Sequence, residues 1–329
     1  MSRSPGLRER LRARIPSIAH FFTRARRDWR LALYDLLPLV STPQRRNRLA
    51  GWIARFRPKT RDFVPSVGLR LIDAELTQTG MTLALPPIDG ETVMALRRYF
   101  ELIECRDPAN PHLARFAHDD PAPETEAGHF SAAEILAAPG LLGLLNAPDL
   151  LSVAELYLGC KPLLDHVTVS WSYGGRDATG EGRRFHRDFD ALRGLKLFIY
   201  LSNVGADADP PVYARGSHAS PFLGTGKSQG DRTIHALFGP ENIAAMTGHA
   251  GTRILIDNFG FHKGALPRFG ARLMVTAEYN VHPSPHAPRP PVLKSVPVGL
   301  VIDRDVNRLH VGCGRIEKAS ILFFRINNK

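Results

Sequence analysis

The apolar positions of this 329-residue chain change their period about halfway along. Leu7, Leu11, Ile15, Ile18 and Phe22 recur at helical spacing with arginines between them, which predicts basic amphipathic helices interrupted at Pro16. A second helix is expected over Asp28 to Leu36. From Val64 to Pro86 short apolar stretches predict a strand or two. Asp89 then caps a helix whose Val93, Leu96, Phe100 and Ile103 share one face, and Ser131 with Glu134 has the spacing of a capping box. A further helix over Asp149 to Leu158 should stop at Gly159. Between these helices, Pro and acidic residues dominate Asp107 to Gly128, an exposed loop. After Pro162 the period becomes that of strands, in DHVTVSWSY, LRGLKLFIYLSNV, GTRILIDNF and ARLMVTAEYNV. Leu195, Leu197, Ile199 and Leu201 fall on one side and Lys196, Phe198 and Tyr200 on the other, so the expected sheet has two unlike faces. Several such strands with long connections favour a sandwich or jelly roll over a parallel α/β sheet. The fold expected is mainly β with flanking α, a jelly roll behind a helical N-terminal region.

Composition adds limits. With 43% hydrophobic and 23% charged residues, 28 Gly and 26 Pro, the chain can bury a sizeable core and is not collagen-like, coiled-coil or wholly disordered. The longest apolar run, Ile135 to Leu145, contains Pro139 and falls far short of the roughly 18 residues that a membrane-spanning helix needs. Cys105, Cys160 and Cys313 make neither a disulfide framework nor a metal knuckle, which points to a reducing, cytoplasmic setting. The start lacks the uninterrupted apolar stretch of a cleavable signal, although its Arg-rich, acid-poor character also fits a mitochondrial presequence.

The net charge of +11 is unevenly spread: residues 1–61 hold 16 Lys or Arg against Glu9, Asp28 and Asp35, a local +13, whereas the remainder sums to −2. The expected organisation is therefore a basic amphipathic helical arm over 1–61, a mostly helical region over 62–160 and a jelly-roll core with a C-terminal extension over 161–329. A near-neutral body gives no case for a nucleic-acid partner. The arm suits packing on the body first and an anionic membrane surface second.

Candidate chemistry concentrates in two segments. In FHRDFD an extended backbone projects His186 and Asp188 from one face, where an imidazole and a carboxylate can reach the same ion. In NFGFHKGALPRFGAR, His262 follows a strand and Arg272 lies ten residues further on. Two histidines and one carboxylate form the facial set that leaves coordination positions open on non-haem Fe(II). A nearby guanidinium adds the planar fork that grips the distal carboxylate of a bidentate co-substrate. Two other groupings carry less. GTGKS at Gly224 to Ser228 has Pro221 where a phosphate loop requires glycine, and the His118, Asp119, Asp120, Glu124, Glu126 and His129 set lies in a Pro-rich loop without fixed spacing.

From about Asp149 to Val281, and most of all in FHRDFDALRGLKLFIYLSNV, ARGSH and GFHKG with the arginine beyond it, the chain resembles the phytanoyl-CoA dioxygenase-like family of Fe(II)/2-oxoglutarate oxygenases. The resemblance implies a double-stranded β-helix, with His186, Asp188 and His262 as iron ligands and Arg272 as partner of the far carboxylate of 2-oxoglutarate. It also implies co-substrate contacts from Lys196 and Ser170. The family's usual Pro-Gly-Ser-His is here ARGSH, so Gly216, Ser217 and His218 match, and His218 is expected to stabilise that turn. The implied activity consumes O2, converts 2-oxoglutarate to succinate and CO2, and hydroxylates a small organic substrate; the Asp188 carboxylate argues against a halogenase. Arg183, Arg184 and Arg187 beside the ligands raise an acidic or CoA-linked substrate as an option. Two rivals remain at this point: a cupin-like metal-binding protein, which has no need of Arg272, and a non-catalytic membrane-associated module recruited by the arm.

Overall fold

The computed structural model describes residues 18–174, 184–208, 210–222, 228–264 and 269–312. Leu7, Leu11, Ile15 and the predicted break at Pro16 lie outside these residues, as do Arg183, Cys313 and most of GTGKS.

Helices α1 (Ile18–Arg27), α2 (Trp29–Leu36), α3 (Pro43–Arg55), α4 (Val67–Thr79), α5 (Gly90–Leu102), α6 (Ala132–Ala137), α7 (Leu141–Leu144) and α8 (Pro148–Leu158) occupy the N-terminal half, with short strands β1 (Met81–Thr82) and β2 (Ala127–His129) among them. Their ends follow from local chemistry. Asp28 accepts from the Arg30 amide to open α2, Asp89 accepts from the Thr92 amide to open α5, and Ser131 with Glu134 closes both hydrogen bonds of a capping box on α6. Gly159, at φ 77°, ends α8.

The expectation of strands between Val64 and Pro86 is corrected: that stretch is the helix α4 followed by only two strand residues. Leu69, Ile72 and Leu76 carry its helical period, Ser66 caps it and Gly80 terminates it in the left-handed region. Gly80 is needed there twice over, because a Cβ would also strike Tyr213 and His218.

The strands that follow are β3 (Leu163–Tyr173), β4 (Gly194–Tyr200), β5 (Val212–Ala214), β6 (Ile243–Ala245), β7 (Arg253–Asp257), β8 (His262–Lys263) and β9 (Ala271–Asn280), with α9 (Asp231–Phe238) before β6 and α10 (Arg304–Asn307) near the end. The larger sheet runs β1-β7-β4-β9-β3-β2 and the smaller β6-β5-β8, all antiparallel. Phe185 and His186 extend the smaller sheet by bridges to Gln229 and His262. From β3 onward the chain alternates between the sheets: β3 large, 185–186 small, β4 large, β5 and β6 small, β7 large, β8 small, β9 large. That alternation defines a jelly roll, the double-stranded β-helix expected from the sequence.

The two faces of the large sheet differ as the strand pattern requires. Leu195, Leu197, Ile199, Val167, Val169, Leu273 and Val275 pack with α5, α6 and α8 in one core. Phe198, Tyr200, Ile254, Ile256 and Met274 point the other way, into a second core against Tyr213 and Met246 of the smaller sheet's side.

The N-terminal helices belong to this body. Leu37, Ala50 and Ala54 sit in the first core, and Arg46 is 1% exposed. Residues on both sides of position 61 therefore contribute to one core.

Candidate metal centre

His186 and His262 face each other across the smaller sheet. Each donates its backbone amide to the other's carbonyl at 2.9 Å, and the rings stand 4.6 Å apart, centroid to centroid. The two-residue alternation of an extended segment then carries Asp188 to the same side, where its amide donates to the Asn258 carbonyl at 3.0 Å. Potential ligand atoms of His186, Asp188 and His262 all lie within 4.8 Å of one another, the one such cluster among the described residues.

The tautomers are set by the backbone. His186 Nδ1 lies 3.0 Å from the Arg184 carbonyl and His262 Nδ1 lies 3.0 Å from the Gly260 carbonyl. A carbonyl only accepts, so each Nδ1 must carry the proton and each Nε2 presents a lone pair. His262 Nε2 is buried without a hydrogen-bond partner, 3.4 Å from Asp188 Oδ2, and His186 Nε2 lies 3.7 Å from Asp188 Oδ1. Burial, then the neighbouring His262, holds the His186 imidazole below its ordinary pKa, which keeps that lone pair available. Two imidazoles and a carboxylate that converge, with the buried His262 Nε2 left without a hydrogen-bond partner, fit a divalent first-row metal such as Fe(II). Gly260, whose carbonyl faces His262 Nδ1, also leaves room for Tyr213, since a Cβ there would collide with the Tyr213 hydroxyl.

Lys196 lies on the inward face, as its strand parity predicts, and its ammonium is held between two carboxylates: Asp188 Oδ2 at 2.5 Å and Glu278 Oε1 at 3.2 Å. Burial alone would push the Asp188 carboxyl up; the Lys196 ammonium and then His262 outweigh it and hold it well below the ordinary range. The lysine is in turn raised by Asp188 and Glu278 against its own desolvation. The ammonium thus bridges the ligand carboxylate and Glu278. Glu278 was not among the residues expected from the sequence. Its signal is a lone acid in the strand ARLMVTAEYNV, at the parity of Arg272.

Arg272 is 4% exposed at the start of β9, on the inward face and directly opposite Ser172 of β3. Ser170 is one inward position further along β3, opposite Met274, and is half-buried. Thr168 and Thr276 hydrogen-bond to each other across the same pair of strands, so a hydroxyl-lined stripe runs from Arg272 towards Glu278.

Arg187, expected from the sequence as an optional contact for an acidic substrate, is instead 5% exposed and turned away from the triad. It donates to the carbonyls of Phe259, Ser217 and Ser220 at 3.0–3.1 Å and stacks on Phe259 and Phe261 at 4.6 and 4.2 Å. The alternation that aims His186 and Asp188 inward necessarily aims Arg187 outward. His218, in the turn after β5, lies with its Nε2 3.1 Å from the Thr77 carbonyl of α4 and so ties that turn to the helix. In the Pro-rich acidic loop His118 stacks on Trp171 at 4.8 Å, and Asp107 accepts from Ala109 and Thr125.

No protein-family model and no curated protein matches the chain. Among solved structures it is similar to EctD from S. alaskensis with bound Fe, at 20% identity over 68% of this chain and 83% of that one, TM-score 0.48. It is also similar to EctD from S. alaskensis with 2-oxoglutarate and 5-hydroxyectoine, at 19% identity, 68% and 82% coverage and TM-score 0.47. A third is the epimerase SnoN in complex with Fe3+, alpha ketoglutarate and nogalamycin RO, at 17% identity, 64% and 83% coverage and TM-score 0.44. With such identities and scores, the chemistry rests on this chain's own residues.

Proposed function

We propose that the protein is a non-haem Fe(II)/2-oxoglutarate-dependent dioxygenase of the phytanoyl-CoA dioxygenase-like kind, hydroxylating a small organic substrate with release of succinate and CO2. The observation that carries this reading is the convergence of His186 Nε2, His262 Nε2 and the Asp188 carboxylate, with both imidazoles locked in the metal-binding tautomer. In this reading those three residues hold the iron. Iron, with 2-oxoglutarate and O2, supplies the oxidising chemistry when bound. Asp188 is kept ionised and oriented by Lys196. Arg272 offers a buried planar fork for the distal carboxylate of 2-oxoglutarate, with Ser170 beside it on the inward face of β3 as a further contact.

The test is anaerobic titration with Fe(II) and then 2-oxoglutarate, read by the metal-to-ligand absorption band of the chelate. His186→Ala, Asp188→Ala and His262→Ala should each remove the band and the succinate produced in air while the melting temperature stays near that of the parent. Arg272→Ala should raise the apparent 2-oxoglutarate constant roughly a hundredfold, with Arg272→Lys recovering part of it, and should leave iron affinity nearly unchanged. An unaltered constant in a folded Arg272→Ala protein would move the reading to the cupin-like alternative.

A further inference from the structure

Helix α3 has two apolar faces, and only one is used by the fold. Pro43, Arg46, Ala50 and Ala54 are buried against the body. On the opposite side Leu49, Trp52 and Phe56 recur at three- and four-residue spacing and remain 42%, 59% and 75% exposed. Trp52 and Phe56 pack edge to face on each other at 5.2 Å, an aromatic pair presented to solvent. Arg45, Arg48 and Arg55 share this outer side and are exposed as well. No acidic residue occurs between Asp35 and Asp62.

We propose that the outward face of α3 docks on an anionic lipid membrane. A surface helix carrying large exposed apolar side chains bordered by arginines has the composition of an interfacial segment, in which apolar groups enter the headgroup boundary while guanidinium groups meet phosphates. Aromatic rings with one wet edge favour that boundary, and the charge complements an anionic leaflet over a stretch with no acid to oppose it. Because the other face of α3 is part of the core, the helix lies flat on the surface and the jelly roll stays outside the bilayer. Among the described residues no helix is long and apolar enough to cross a membrane, so attachment by this route is peripheral and reversible.

Full-length protein would be sedimented with vesicles of phosphatidylcholine alone and of phosphatidylcholine mixed with phosphatidylglycerol, at low and raised ionic strength. Binding is expected only to the mixed vesicles and should weaken with salt. Replacing Arg45, Arg48 and Arg55 together by Gln should cut partitioning roughly a hundredfold, and Trp52→Ala with Phe56→Ala should cut it at least about tenfold. All five side chains are exposed, so both variants should melt with the parent. Lipids brominated in the acyl chain should quench part of the tryptophan emission, and Trp52→Phe should remove that quenching while Trp29 and Trp171 remain. Equal binding to neutral vesicles, full binding by both variants, or unchanged quenching in Trp52→Phe would overturn the proposal. So would self-association lost in the Trp52, Phe56 variant without vesicle binding, which would assign the face to a second copy of the chain.

Discussion

Asp188 Oδ1 lies towards His186 and Oδ2 towards His262, and Oδ2 is at the same time the acceptor for Lys196. A carboxylate left alone in that position would rise in pKa through burial and turn freely about its last bond; the ammonium opposes both. Lys196→Met keeps the length of the side chain and removes the charge, leaving Asp188 and Glu278 as uncompensated neighbours. Fe(II) affinity should then fall about ten- to a hundredfold, as loss of a group supporting a ligand ordinarily does, and Glu278→Gln should have a smaller effect in the same direction. Calorimetric metal titration without co-substrate measures this directly. A Lys196→Met protein with parental iron affinity and a weakened 2-oxoglutarate constant would instead assign the lysine to the co-substrate.

At the scale of elements, the ligand-bearing segments are held by the residues that alternate with the ligands. Phe189 and Phe259 flank the Arg46 guanidinium, at 5.6 and 4.4 Å, and Arg187 covers Phe259 and Phe261 in its turn. Arg46 also donates to the Ala191 carbonyl. Helix α3 thereby reaches into the two loops that bring Asp188 and His262 together. Burial lowers both guanidinium groups to a pKa of about 10, so they stay charged at neutral pH. Arg46→Ala removes the stack and leaves a void, for a cost of about 2–4 kcal/mol. Arg46→Lys should not restore it, since an ammonium cannot lie flat against two rings. Denaturant melts read the loss, and a change below about 0.5 kcal/mol would show that the stack contributes little.

For the whole molecule, the packing of α2 and α3 means that residues 1–61 cannot be removed as a separate arm. Deletion exposes the surface covered by Leu37, Ala50 and Ala54, and the truncated protein should melt well below the parent or fail to fold; an unchanged melting temperature would contradict that packing. Acid stability has a second whole-molecule origin. His282 accepts from the Leu192 amide and lies near the Pro283 carbonyl, and burial lowers its pKa to about 4, as it does for His310. Unfolded histidine titrates near 6.5, so between about 6.5 and 4 the unfolded chain binds the extra protons and stability falls as pH falls. Asp165 opposes this: burial raises it to about 6, so the folded state holds its proton and loses stability as pH rises towards that value. His282 and His310 thus favour unfolding in acid, and Asp165 works against them. His282→Gln should flatten the slope of unfolding free energy against pH by about 1.4 kcal/mol per unit within that window, measured by urea melts, and an unchanged slope would exclude His282.

Much of this architecture is local in origin and can be read from residue order alone. The alternation of Leu195, Leu197 and Ile199 against Lys196, Phe198 and Tyr200 specifies which side of a strand meets the helices, because a strand has period two whatever surrounds it. Caps at Asp28, Asp89 and Ser131 act within three residues of themselves, and so does the spacing of His186 and Asp188. Val64 to Pro86 misleads because short apolar runs suit either period. The rest needs distant segments to meet. Lys196 finds Glu278 only through the register of β4 on β9, and Arg187 becomes a structural brace only once the turn at Ser217 closes over it. Arg46, which reads as one more base in a basic segment, is buried because its helix docks across Phe189 and Phe259. Residue type and spacing determine what a side chain can do; the partners that decide what it does are selected by tertiary contacts, whose energies depend on burial and distance rather than on order along the chain.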